Sequence, residues 1–88
     1  MKEVKMFMME TCPHCRKAFS LMEEICREHP EYNAVEIEKI DETKDPDYAA
    51  KFDYHYVPTF YVDGVKVHEG APTKEAIEKV YAEAVIAQ

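Results

Sequence analysis

Two cysteines lie close together in the segment Cys12-Pro13-His14-Cys15, between an apolar run and a helix-like pattern. The apolar run, residues 4–9, is typical of a buried strand. Pro13 suits the first position of a helix, because its missing N–H costs nothing there and its φ is already helical. Cys12 is then the N-cap residue, where unpaired backbone N–H groups and the helix dipole favour a thiolate. The spacing therefore predicts a strand that leads into a helix, with the thiol pair at the junction.

The thiols of this pair are predicted to differ. Cys15 shares a helical stripe with Phe19, Met22 and Cys26, so we expect it on the shielded, core-facing side. Cys12 should be exposed and acidic. Because the thiolate is the attacking form, these positions favour Cys12 as the nucleophile and Cys15 as the resolving thiol of a disulfide exchange. Cys26 is expected to be a small core residue.

Length and composition limit the possible classes. The 88 residues are 47% apolar and 33% charged, which predicts one globular domain over residues 1–88. The net charge of −7 argues against a nucleic-acid or anionic-membrane partner. No apolar run approaches the ~20 residues of a membrane span. Residues 1–9 are too short for a secretory signal, and the odd count of three cysteines suggests no structural disulfide framework, so we expect a cytoplasmic protein.

Hydrophobic periodicity and turn residues predict the order β-α-β-α-β-β-α. Asp45 and Thr73 are expected to cap helices, and Asp63-Gly64 is a strong hairpin signal. The last helix should bury the stripe Ile77, Val80, Tyr81, Ala84 and Val85. The predicted ranges are strands at 2–9, 34–40, 59–62 and 65–69, and helices at 13–29, 45–53 and from 73 onward. This order predicts an α/β fold in which a mixed four-stranded sheet carries helices on both faces.

A proline opens the third strand, in Val57-Pro58-Thr59. A strand proline belongs at a first residue or an edge. With the upstream CxxC pair, this pattern resembles the thioredoxin-like superfamily, and in particular its small members, the glutaredoxins and short glutaredoxin-like thioredoxins. The resemblance implies a minimal thioredoxin fold, with Pro58 cis and lying against the cysteines. It also implies that Val57 pairs with a substrate chain through its backbone, in a substrate-binding region that includes Pro58, Thr59 and Gly70.

The resemblance further implies a dithiol oxidoreductase with no bound cofactor, acting on disulfide-containing proteins or small molecules. Its electrons would come from glutathione or from a thioredoxin-reductase-type flavoenzyme. Glutaredoxins usually have a basic residue where this chain has Met9, and a Gly-Gly-Asp segment where it has Gly70-Ala71. These departures favour the reductase as donor. We expect a monomer with a role in cellular redox homeostasis and electron transport.

Two questions stay open from the residues alone. The His14 imidazole is expected to favour the Cys12 thiolate, although a solvent-facing residue with little effect is the alternative. The CxxC pair also occurs in metal sites, which need further ligands that the chain supplies only as Cys26 and scattered histidines. A redox site is therefore favoured over a zinc or iron–sulfur module and over a non-catalytic interaction module. We expect a reduction potential of roughly −240 to −150 mV.

Overall fold

The computed structural model describes residues 1–86, and its centre is strand β1, Val4–Met8. Strand β2, Ile37–Asp41, pairs with β1 in parallel. Strand β3, Thr59–Val62, pairs with β1 and with β4, Val65–Glu69, in antiparallel fashion. The sheet order is β2-β1-β3-β4. The mixed four-stranded sheet predicted from the sequence is thus confirmed.

Both faces of β1 are buried, which explains why every residue of the strand except Lys5 is apolar. Val4, Met6 and Met8 pack in a core with residues of helix α1, Pro13–Glu28, and helix α3, Lys74–Val85. Phe7 packs on the opposite face beside the short helix α2, Pro46–Ala49. The predicted placement of helices on both faces is confirmed, and the junction between β1 and α1 carries the thiol pair.

Helix α2 is shorter than the predicted helix 45–53, because it ends at Ala49. The chain beyond it packs aromatic rings on Phe7 instead of continuing the helix. The Phe7 ring lies 4.6 Å from the Phe52 ring and 5.0 Å from the Tyr54 ring, centroid to centroid. The contact of the Phe52 and Tyr54 rings with Phe7 holds the chain that leads toward Pro58. No local sequence pattern predicts it.

The predicted second strand begins too early. Residues Pro30–Ala34 form a 3₁₀ helix with proline in its first turn, and β2 starts only at Ile37. The Tyr32 ring stacks on Tyr81 of α3 at a centroid distance of 5.2 Å. The 3₁₀ helix takes Ala34 out of the predicted strand 34–40, and β2 extends one residue further, to Asp41.

The predicted hairpin turn at Asp63-Gly64 and the predicted cap at Thr73 are confirmed, whereas Asp45 differs from the prediction. Asp63 and Gly64 have φ values of 52° and 83°, so both adopt the left-handed conformation of a two-residue hairpin turn. The Thr73 hydroxyl accepts a hydrogen bond from the Ala76 N–H at 3.1 Å, which caps α3. Asp45 precedes α2 without a side-chain capping bond. Val85, predicted to be buried, is 41% exposed because it lies at the last position of α3.

Within residues 1–86, no helix combines the length and the apolar character that crossing a bilayer requires. The prediction of one domain over 1–88 stays a prediction, since residues 87–88 lie outside the described part of the chain.

Candidate functional site

Cys12 occupies the N-cap of α1, as the sequence predicts. Its φ and ψ of −80° and 122° are extended, and Pro13 follows in the first turn of the helix. The pKa of the Cys12 thiol is lowered, first by the backbone N–H of Cys15 and also by that of His14. Partial burial and the Glu42 carboxylate oppose this shift. Cys12 is half-buried rather than exposed, because it packs against the core below the sheet.

Cys15 lies one turn further and is fully buried. Burial is the main reason that the pKa of its thiol rises to about 11, and the neighbouring Cys12 adds to the effect. The Met9 N–H donates to the Cys15 sulfur at 3.5 Å and pulls the pKa the other way. The predicted shielding of Cys15 is confirmed. The thiols are therefore opposite in character, one acidic and accessible in part, the other neutral and enclosed.

His14 acts on the Cys12 sulfur through its backbone N–H, while its side chain is exposed. Its position in the first turn directs this N–H toward the N-cap residue. Pro13 has the predicted place but contributes no N–H. The proposed influence of the His14 imidazole stays a prediction.

Glu42 is a residue of the site that the sequence analysis did not find. Its carboxylate raises the pKa of both Cys12 and Cys15. The Glu42 N–H donates to the Met8 carbonyl at 3.0 Å, and the Tyr54 hydroxyl donates to the Glu42 carboxylate at 2.7 Å. The available signal was topological: the carboxyl ends of parallel strands β1 and β2 meet, so residues just after each are neighbours.

The second half of the site is the chain around Pro58. The Val57–Pro58 peptide bond is cis, as the family resemblance implied, and Pro58 is buried. Thr59 is buried, and its hydroxyl donates to the Tyr56 carbonyl. Gly70 has a φ of 94° and donates its N–H to the Pro58 carbonyl at 2.9 Å. These contacts join the predicted substrate-binding residues Pro58, Thr59 and Gly70 into one unit.

Val57 lies between these fixed residues and is half-buried. Its side chain packs against the same core cluster as Cys12. Within residues 1–86, neither the N–H nor the C=O of Val57 has a hydrogen-bond partner. An unpaired donor and acceptor on one residue match what an added strand requires.

Cys26 is half-buried, not a core residue as predicted. It lines a groove of about 670 Å³ that is bordered by α1, the 3₁₀ helix Pro30–Ala34, Lys39 of β2 and Tyr81 of α3. Burial raises the pKa of the Tyr81 hydroxyl, and a hydrogen bond with Cys26 adds to this rise. The stripe predicted for α1 is rotated accordingly, because Ala18 and Ile25 occupy its buried centre.

A metal site at the CxxC pair would need further ligands within reach. Among the described residues, the one group of three such side chains within 4.8 Å of one another is Glu28, His29 and Glu78, two of them exposed or partly exposed carboxylates. That group begins at the last residue of α1, whereas the cysteines lie at its start. Among the described residues, this group includes neither Cys12 nor Cys15.

Comparison with known proteins indicates thiol–disulfide chemistry. The thioredoxin domain family matches residues 2–82 of the chain. A thioredoxin of Methanocaldococcus jannaschii is 37% identical over 75 residues, which cover 85% of this chain and 86% of that protein. A probable thioredoxin of Methanothermobacter thermautotrophicus is 30% identical over 74 residues, covering 84% and 85%.

Solved structures agree as well. The X-ray structure of Fasciola hepatica thioredoxin superposes with a TM-score of 0.65 at 28% identity, covering 93% of this chain and 80% of that one. The oxidised thioredoxin of Plasmodium falciparum shares the fold with a TM-score of 0.70 at 21% identity, covering 97% and 82%. Sequence and fold together establish thiol–disulfide oxidoreductase activity, and the chain belongs to the thioredoxin family.

Proposed function

We propose that the protein reduces disulfides by a dithiol mechanism in which Cys12 attacks and Cys15 resolves. The observation that carries this assignment is the opposite shift of the two thiol pKa values. The pKa of Cys12 is lowered by backbone N–H groups, while burial raises that of Cys15 to about 11. At neutral pH a larger fraction of Cys12 than of Cys15 is therefore thiolate, which is the nucleophilic form.

In the first step, the Cys12 thiolate attacks one sulfur of the substrate disulfide. A Cys12–substrate bond forms, the substrate disulfide breaks, and the other substrate sulfur leaves as a thiolate that takes up a proton. In the second step, Cys15 loses its proton and attacks the Cys12 sulfur, which releases the second substrate thiolate. Two electrons pass to the substrate, and the protein is left with a Cys12–Cys15 disulfide.

The environment of Cys15 favours this order. Part of the rise in the pKa of Cys15 comes from its hydrogen bond and charge interaction with Cys12. When Cys12 becomes part of a mixed disulfide, its negative charge is gone and that contribution disappears. The Met9 N–H still donates to the Cys15 sulfur and favours its thiolate. Cys15 therefore becomes more acidic at the stage when it has to attack.

We propose that a substrate polypeptide lies along Val57 and pairs with its backbone. The free N–H and C=O of Val57, between the fixed residues Tyr56 and Pro58, support this placement. Backbone pairing at one residue orients the substrate without requiring particular substrate side chains. This suits a reductase with several protein substrates. Small disulfides would meet Cys12 without this contact.

We propose a flavoenzyme of the thioredoxin-reductase type as electron donor, with glutathione as the competing donor. Met9 and the Gly70-Ala71 segment lack the basic and acidic groups expected for holding glutathione. The matched relatives are thioredoxins, which also favours the reductase. Comparing insulin reduction with reduction of a glutathionylated small molecule tests the choice. Turnover confined to the glutathionylated substrate would contradict it.

We place the reaction in the cytoplasm, where reducing electrons are supplied, and propose a monomer without nucleic-acid or membrane partners. The net charge of −7 supports the last point. Fractionation of cells and light scattering of the pure protein test these statements.

A mechanism-based trap tests the whole assignment. In a Cys15→Ser variant, Cys12 should retain substrates as stable mixed disulfides that mass spectrometry identifies after non-reducing separation. A Cys12→Ser variant is the matched control and should retain none. Equal trapping by the two variants would overturn the assignment of roles. Stoichiometric zinc or iron in protein purified without chelator would favour the metal-binding alternative.

A further inference from the structure

Two charged side chains of β4 contact the backbone of the segment that leads to Pro58. The Glu69 carboxylate accepts hydrogen bonds from the backbone N–H groups of His55 and Tyr56, the second at 3.0 Å. The Lys66 ammonium lies 2.8 Å from the Glu69 carboxylate and donates to the Asp53 carbonyl at 3.1 Å. Three backbone groups of the segment 53–56 are thus held by one pair of side chains.

An irregularity in β4 makes this pair possible. Residues three apart in a regular strand point to opposite faces of the sheet. The register between β3 and β4 shifts between Phe60 and Tyr61, which pair with His68 and Lys66. Val67 is the extra residue of this bulge. A bulge re-aims the side chains beside it, so Lys66 and Glu69 meet on one side.

The Glu69 carboxylate is ionised at any pH near neutrality. Its pKa falls to about 2, mainly because of Lys66 and then because of the two backbone N–H groups. A charged acceptor makes stronger hydrogen bonds than a neutral one. The pair therefore keeps its full strength under the conditions in which thiols are exchanged.

The held segment ends directly at the residue proposed to bind substrate. Glu69 fixes the N–H of Tyr56, Thr59 fixes its carbonyl, and Gly70, next to Glu69, fixes the carbonyl of Pro58. Val57 is the residue between these contacts, and within residues 1–86 its N–H and C=O have no hydrogen-bond partner. Its orientation is thereby set before any substrate arrives, which reduces the ordering cost of binding.

We propose that Glu69, held by Lys66, is a positioning residue that presents the Val57 backbone to polypeptide substrates. The inference rests on the proposed pairing of substrate with Val57. It assigns the pair an effect on protein disulfides and none on the reactivity of the Cys12 sulfur itself. Loss of the pair should therefore weaken the reduction of polypeptide disulfides and leave the reduction of small disulfides unchanged.

The test compares two substrates in Glu69→Ala protein. We expect the KM for fluorescently labelled insulin, with dithiothreitol as reductant, to rise roughly tenfold, as the loss of charged hydrogen bonds predicts. The single-turnover rate of the reduced protein with dithiodipyridine, and the pH profile of Cys12 alkylation, should stay within about twofold of the wild type, since neither involves Val57. Hydrogen exchange of the His55 and Tyr56 amides should become faster.

Further variants separate positioning from a general loss of structure. Lys66→Met keeps the carboxylate and should raise the insulin KM by about threefold; it also provides the same comparison if Glu69→Ala protein does not fold. Glu69→Gln keeps an acceptor oxygen and should fall between wild type and Glu69→Ala. Glu28→Gln, which removes an ion-pair partner of Lys74 at the other end of α1, is the matched control and should change nothing.

The possible failures are distinguishable. A wild-type protein that does not reduce insulin would contradict the proposed function. An active wild type whose insulin KM is the same in Glu69→Ala protein would overturn the role of Glu69 alone. A parallel loss with insulin and dithiodipyridine would also overturn it, because that result means damage to the thiol site.

Discussion

The two halves of the site are held in different ways. The thiol half, Cys12–Cys15, depends on the start of one helix, so its electrostatics come from neighbouring backbone N–H groups. The proposed substrate half, around Val57 and Pro58, belongs to no helix and begins just before β3. Side chains of β4 and the aromatic cluster on Phe7 hold it instead. The lowering of the Cys12 pKa thus comes from nearby backbone groups, whereas the segment proposed to position substrate is held by distant parts of the chain.

The largest effect that separates the halves is expected at Cys12. Cys12→Ser should abolish measurable disulfide reduction, because a serine hydroxyl is not ionised at neutral pH and forms no disulfide. The activities with insulin and with dithiodipyridine should be lost together. Loss of the Lys66–Glu69 pair, in contrast, should affect the activity with insulin alone. The measurement is turnover with insulin and single-turnover rate with dithiodipyridine. Retention of wild-type activity would favour a non-catalytic interaction module.

A second expected effect is on stability, where the segment before Pro58 meets the loop after β2. Tyr54→Phe removes the hydroxyl that donates to Glu42 at 2.7 Å while keeping the ring against Phe7. We expect a loss of about 1 kcal/mol in the free energy of unfolding, measured by urea denaturation. Tyr48→Phe, whose ring also contacts Phe7, is a control expected to cost less. Equal losses would mean that the Tyr54–Glu42 bond contributes little.

The difference between the halves also explains what the sequence could predict. The N-cap at Cys12, the Asp63-Gly64 turn and the Thr73 cap were predicted because each depends on residues adjacent in the chain. Glu42 was missed because its effect requires the pairing of β1 with β2. The contacts of Glu69 were missed because a bulge, which no residue type marks, reverses the expected facing of its side chain.

Contacts between distant parts of the chain also explain where the predicted end of a helix and the predicted burial of a residue were wrong. The predicted helix to residue 53 was wrong beyond Ala49, because Phe52 and Tyr54 gain more from stacking on Phe7 than from a further helical turn. The predicted core position of Cys26 was wrong in extent, because Cys26 packs against the core but also lines a groove bordered by α1, the 3₁₀ helix and β2. Periodicity gives a helix face to within a residue or so, but it does not give the shape of the partner surface.

Acid conditions should weaken the contacts of Glu69 with the segment before Pro58. The pKa of Glu69 is lowered from its ordinary 4.5 to about 2, so the folded protein favours the carboxylate. The stabilisation is complete above the unfolded value and is lost as the pH falls from 4.5 toward 2. In urea denaturation, the difference in unfolding free energy between wild type and Glu69→Gln should shrink over this interval. A difference independent of pH would contradict the assigned interaction.

A smaller effect concerns Glu42, which accepts a hydrogen bond from Tyr54 and acts by its charge on both thiols. Glu42 raises the pKa of both thiols, so Glu42→Gln should lower the midpoint of Cys12 alkylation by about half a pH unit. Iodoacetamide labelling against pH measures this shift. Glu36→Gln, an exposed carboxylate just before β2, serves as the control for general charge. An unchanged or higher midpoint in Glu42→Gln would show that the carboxylate does not act on Cys12.

The smallest effect is expected at His14, although the sequence analysis predicted that its imidazole favours the Cys12 thiolate. His14→Ala removes the imidazole but keeps the backbone N–H that lowers the pKa of Cys12. If the backbone is the source of the shift, the alkylation midpoint should move by less than about 0.3 units, since helix-end effects need no side chain. A rise of a full unit would restore the imidazole as the main influence. The thiol half would then depend on a side chain after all. The contrast between the two halves of the site would be weaker than the backbone geometry indicates.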